Sequence, residues 1–220
     1  MRPFVRTAAL TALALTLVLP GVARAQSTTY DVTITNLTRH QVFSTPVAAT
    51  HAVSTRIFHV GDSVDMPFWL MAEDGEHVDL VEMLEADPGV GDVAAAPAFL
   101  MPGHSVTLTV ESETPFFRLS VVGMLVTTND GFFGIDSHPL TVGPWLQRLY
   151  APVYDAGTEA NSESCETVPG PPCGSLHVRD TGDAEGTIGI HSGIHGTGDL
   201  DPAMFDWKNP VAEIRVVRRR

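Results

Sequence analysis

Four stretches of this chain alternate apolar and polar residues with a period of two, and that pattern limits the folds open to it. Tyr30, Val32 and Ile34 stand between Asp31, Thr33 and Thr35; Val106, Leu108 and Val110 between Thr107, Thr109 and Glu111. Phe117, Leu119 and Val121 alternate with Arg118, Ser120 and Val122, and Ala212, Ile214 and Val216 with Glu213, Arg215 and Val217. Successive side chains of a strand point to opposite faces, so each run predicts a strand with one buried face, the last closing the fold. With Gly, Pro, Asn and Asp clusters between them, such strands predict an all-β, antiparallel two-sheet sandwich. One segment departs from the pattern. From Val78 to Glu85 the apolar residues keep helical spacings, acids at 79, 82 and 85 line the other side, and Asp87-Pro88-Gly89 ends the run. It predicts one short surface helix inserted between strands.

The first 25 residues read as a signal peptide. Arg2 and Arg6 precede an apolar run from Ala8 to Pro20, and Ala23-Arg24-Ala25 supplies the small-residue cleavage pattern. The run is shorter than the roughly 20 residues of a spanning helix, so export with cleavage near Ala25 is expected, and no transmembrane anchor. A single domain over 26–220, periplasmic or secreted, follows. The whole chain carries a formal charge of −13, and losing Arg2, Arg6 and Arg24 makes the mature charge about −16. Nucleic acid is excluded as a partner, because phosphate binding needs basic residues gathered on one face. The one basic cluster, Arg215 with Arg218 to Arg220, reads as a solvated tail. Cys165 and Cys173 are the only cysteines, and in an oxidising compartment they predict a disulfide worth about 3 kcal/mol or less for so short a loop. It would pin a proline-rich excursion. The Pro-, Gly- and Ser-rich stretch 164–185 is expected to be a long loop within the domain, since strand-like sequence resumes beyond it.

Acidic oxygens are concentrated in Tyr154-Asp155-Ala156-Gly157-Thr158-Glu159-Ala160-Asn161-Ser162-Glu163, and a second acidic stretch runs from Asn129 through Asp130-Gly131-Phe132-Phe133-Gly134-Ile135-Asp136 to Ser137. On spacing alone these are surface loops of an acidic chain. Together they resemble the spondin domain, the module of F-spondin and mindin, in which an Asp-x-Phe-x-Gly-(Val/Ile)-Asp-Ser stretch precedes Tyr-Asp-Ala-Gly-Thr-Asp. The likeness covers residues 116–163 best, with Glu159 standing where the family has its last Asp. The segment from Gly189 to Pro210 is similar to bacterial members of that family. The resemblance implies a secreted, calcium-binding C2-like β-sandwich that adheres to an extracellular protein, glycan or lipid, without specifying which or any oligomeric state. It implies Asp130, Asp155 and Glu159 as the metal ligands. Calcium suits them chemically, since it takes 6 to 8 oxygen ligands in flexible geometry. Gly157 would let its loop turn so that both Asp155 and Glu159 face one centre.

A rival reading rests on the histidines. His191 and His195 lie four apart, with Asp199, Asp201 and His177 in the vicinity, an arrangement open to copper or zinc in a secreted metal carrier or metalloenzyme. The H-E-x-x-H geometry requires a helix, which the glycines at 189, 193, 196 and 198 oppose, and its glutamate is missing. No serine elbow, P-loop or dinucleotide fingerprint occurs, and paired cysteines leave no thiol nucleophile. The chain is therefore read as a binding module and not as an enzyme. Phe132 and Phe133 are expected in the core or packing a loop, with contact to a lipid or partner beside the ion as the alternative.

Overall fold

The computed structural model describes residues 27–140 and 146–219. Residues 1–25, read as a signal peptide, lie outside the described residues. Among the described residues ten strands form two antiparallel sheets: β1 (Thr28–Asn36), β2 (Val47–His51), β3 (Val90–Ala95), β4 (Ser105–Ser112), β5 (Arg118–Met124), β6 (Gly131–Pro139), β7 (Gln147–Ala151), β8 (Val153–Asp155), β9 (Gly189–Ile190) and β10 (Ala212–Arg218). The smaller sheet has the order β4-β1-β10-β7 and the larger β3-β2-β5-β6-β8-β9. The all-β sandwich is thus the fold.

Alternation governs the smaller sheet. Tyr30, Val32 and Ile34 of β1, Leu108 and Val110 of β4, and Ile214 and Val216 of β10 turn inward onto Phe43, Leu119, Val121 and Phe133 of the larger sheet or its edge. Their polar neighbours face water, where Thr33 and Thr107 hydroxyls meet at 2.8 Å. The larger sheet departs from the one-face expectation. All of β2 and nearly all of β5 are buried, because two helices cover the face that the smaller sheet does not.

Those helices are α1 (Met66–Asp74) and α2 (Val78–Ala86), with a single turn, α3 (Pro202–Phe205), near the end of the chain. The segment read as a helix from Val78 to Glu85 is α2, ending before Asp87. The other two add to the one expected. Pro67 sits in the first turn of α1, and a left-handed Gly75 closes it, the usual asymmetry of helix ends. Phe68, Met71 and Ala72 of α1 and Leu80 and Leu84 of α2 pack on Val47, Ala49, Val122, Met124 and Phe132, forming a second core. Phe58 joins it. Its ring lies over β6 where Gly134 leaves room: a Cβ there would stand 2.9 Å from the ring and 3.0 Å from the Val121 carbonyl.

Phe132 and Phe133 are wholly buried and belong to different cores. Phe133 stacks on Phe43 at 4.3 Å between the sheets, whereas Phe132 packs against Phe58, Phe68 and Tyr154 beneath the helices. Neither ring reaches a surface where it would meet a lipid or partner.

Cys165 and Cys173 are disulfide-bonded. Residues 164–185 form an irregular excursion, as expected, and it is tied back to α1. Arg179 grips Glu73 through Nε at 2.5 Å and Nη2 at 2.7 Å while its guanidinium lies 3.9 Å above the Trp69 ring. His177 donates its backbone N–H to Asp74 Oδ1 at 2.7 Å.

Candidate functional site

Strand register brings the two acidic stretches together. β6 pairs with β8 so that Gly131 faces Asp155 and Phe132 faces Tyr154, and the Asp130 carbonyl accepts the Ala156 N–H at 3.2 Å. Most of the stretch from Asn129 to Ser137, read as an acidic loop, is strand β6. Asp130 precedes it at the turn, while Asp136 lies along the strand and pairs with Arg56 at 2.9 Å.

Asp130 is 0 % exposed. Its Oδ2 accepts the backbone N–H groups of Thr158 at 2.7 Å and Glu159 at 3.1 Å, together with the Thr158 hydroxyl at 3.2 Å. Its Oδ1 is buried with no hydrogen-bond partner. Asp155 Oδ1 accepts the Gly157 N–H at 2.7 Å, and Oδ2 accepts Asn161 Nδ2 at 2.5 Å. Glu159 Oε1 accepts the Asp180 N–H at 2.7 Å, which places the excursion against the site. Gly157 has φ 70°, and a Cβ there would stand 2.3 Å from the Thr187 carbonyl oxygen. A side chain at 157 would push the loop that holds Asp155 and Glu159 away from the segment behind it.

Burial dominates the electrostatics. It pushes the Asp130 carboxyl up to about 7, the Asp155 charge adding to the rise against the pull of the Thr158 and Glu159 amides. Burial likewise lifts Glu159 to about 8, with Glu73 and Asp130 contributing, and raises Asp155. Arg179, which draws Glu159 the other way, is already engaged by Glu73. Burial therefore disfavours the charged form of each of the three carboxyls.

The β6–β8 pairing sets Asp130 beside the loop that carries Asp155 and Glu159, but each of the three carboxylates is turned to amides. Among the described residues no group of three or more His, Cys, Asp or Glu side chains is placed so that it could hold a metal ion. Sequence reasoning missed Thr158, Asn161 and the Asp180 amide, although the first two lie inside the 154–163 stretch. The Asp180 amide and Arg179 carry no local signal, since they reach the site only through the fold of the long excursion.

The histidines have other duties. His191 is buried beside Trp207, ring centroids 5.0 Å apart, and its Nδ1 accepts the Gly193 N–H at 3.0 Å. Its proton is therefore on Nε2, which is buried without a partner, and burial holds the ring down at about 4. A neutral ring in that tautomer, its Nδ1 lone pair already taken, offers a metal no free ligand atom. His195 Nε2 lies 3.1 Å from the Ser192 hydroxyl. Asp199 accepts the Cys165 N–H at 2.8 Å, Asp201 caps α3 through Ala203 at 2.9 Å, and His177 faces Asp74 at 3.2 Å. Buried Glu163 organises the turn after His191 by accepting the N–H groups of His195, Gly196 and Thr197 at 2.6, 2.7 and 2.9 Å.

No protein-family model matches the chain, and no curated protein sequence matches it. Among the described residues no helix is long and apolar enough to cross a membrane.

Proposed function

We propose that the protein is an exported, spondin-like recognition module whose loops at the β6–β8 end are ordered by a calcium ion held by Asp130, Asp155 and Glu159. The observation that carries this reading is the Asp130 Oδ1 atom, a fully buried carboxylate oxygen without a partner, next to two further carboxyls raised by burial. An unpaired buried acceptor costs about 1–3 kcal/mol or more when charged. A hard divalent cation removes that cost and the mutual repulsion together, and every donor on offer is oxygen, the kind calcium prefers. The residues fit the ion by the chemistry of their oxygens. The bound ion would fix the 155–163 loop and, through Glu159 and the Asp180 amide, the excursion, so that both present a surface to an extracellular protein, glycan or lipid.

A calcium titration by calorimetry tests the reading. Saturable binding is expected with a dissociation constant of about 10⁻⁴ to 10⁻³ M, the range of extracellular modules. Because Asp130 and Glu159 hold protons near neutrality, binding at pH 7 should release them, and the measured heat should change with the ionisation enthalpy of the buffer. Asp130→Asn and Glu159→Gln should abolish both effects. A wild-type protein silent at millimolar calcium sinks the proposal.

A further inference from the structure

On the helix-covered face of the larger sheet, the loop before α1 and the ends of α1 and α2 enclose an open cleft of about 550 Å³, the size of a ligand pocket. Its floor is apolar: Phe58, Phe68, Leu84 and Ile188, all buried, with Ile57 and Val64 partly so. Its mouth is acidic. Asp62, Asp65 and Asp87 are exposed there, while the two basic side chains, Arg56 and His59, are turned to Asp136 at 2.9 and 3.6 Å. Asp87 Oδ1 accepts the Gly89 N–H at 2.7 Å. No side-chain hydrogen bond or ion pair engages Asp62 or Asp65 among the described residues, and the N-cap position of Asp65 makes no side-chain cap.

We infer that this cleft receives a short basic and apolar segment of a partner protein, an aliphatic or aromatic side chain on the floor and a lysine or arginine at the rim. Charge selects among the occupants. An anionic chain would meet three carboxylates, a neutral apolar ligand would leave them unused, and a second copy of this chain would bring its own charge of −13 against the first. A basic segment gains from both the rim and the field of the whole acidic molecule, which speeds encounter and makes binding fall with added salt. The inference does not rest on the calcium reading, because none of the three proposed ion ligands lines the cleft.

The test is a methyl-detected NMR titration of the full protein with an acetylated and amidated Phe-Lys-Leu-Lys-Phe peptide. The controls are a Phe-Glu-Leu-Glu-Phe peptide and a Gly-Lys-Gly-Lys-Gly peptide. Saturating shifts are expected at the methyls of Ile57, Val64, Met83 and Ile188 with the first peptide alone. Asp62→Asn combined with Asp65→Asn, both exposed and harmless to folding, should weaken it about tenfold. The inference is overturned by the absence of shifts, by shifts unaffected by the double substitution, or by equal binding of the glutamate peptide, which would mark a purely apolar site. Lysine-peptide shifts spread over the acidic surface, or matched by the glycine peptide, would also overturn it. Shifts of the same methyls with protein concentration alone would make the occupant a second copy and overturn it too.

Discussion

Asp130 is placed where a carboxylate is least at ease, and the pH dependence of stability should betray it. Folding moves its titration from near 4 to about 7, and that of Glu159 to about 8. Both groups bind protons more tightly when folded, so their contribution is complete in acid and is lost as pH rises from about 4 to about 8. His191 acts in the opposite sense: held at about 4 when folded, against about 6.5 unfolded, it costs stability as pH falls through that window. Between about pH 6.5 and 8 the carboxyls act unopposed. In calcium-free buffer the thermal midpoint should drop across that interval, by about 2–4 °C for each kcal/mol lost in a chain of this size. Asp130→Asn should reduce the drop, and Asp130→Asn combined with Glu159→Gln should flatten it, as should calcium added to the wild type. A drop of equal size in the variant would mean that other groups set it. The carboxyl residues themselves are readable from the two acidic stretches, though the Asp180 amide and Arg179 that act on Glu159 are not. That Asp130 is wholly buried with one oxygen unpaired is not, because burial comes from the β6–β8 pairing and the excursion, neither of which leaves a period in the sequence.

At the scale of elements, the excursion is held by an ion pair that no local pattern announces. Glu73 is 3 % exposed, and the cation that meets it is Arg179. Arg179→Ala leaves a buried carboxylate uncompensated and also removes packing on Trp69, and the expected loss in urea denaturation is on the order of 3 kcal/mol. Glu73→Gln on that background should recover part of it, since the stranded charge is then gone; a double variant no better than the single one would assign the loss to the Trp69 contact. The elements themselves divide by burial. β1, β4 and β10 have one wet face, so alternation marks them. β5 is buried on both faces and does not alternate: Val122, read as its polar-side neighbour, lies under α1 and α2 in the second core. α1 escapes the helical pattern for a related reason, its run from Met66 to Ala72 being apolar all round and its polar end, Glu73 and Asp74, turned inward to serve the excursion.

For the whole molecule the two halves of the sandwich should respond differently to the ion. The smaller sheet rests on a core of aliphatic and aromatic side chains between the sheets, and none of it depends on the acidic pocket. The β6–β8 end depends on it at several points: Asp130 is bound to the 158–159 amides, Asp155 to Gly157 and Asn161, and Glu159 to Asp180. Neighbouring chain follows, since Gly186 donates its N–H to the Gly157 carbonyl at 2.7 Å and Ile188 to that of Asp62 at 2.8 Å. Segments whose hydrogen bonds end on a repelling cluster open at lower free energy than the sheets behind them. Hydrogen exchange with calcium and with chelator should therefore differ in residues 127–131, 155–163 and 177–188 and be unchanged in β1, β4 and β10. Chelator should release the first set well below the midpoint of global unfolding. If protection rises evenly over the whole chain instead, the ion stabilises the fold as one cooperative unit, and loop ordering is not its role. If neither set responds, the acidic end keeps its order through amides and protons alone.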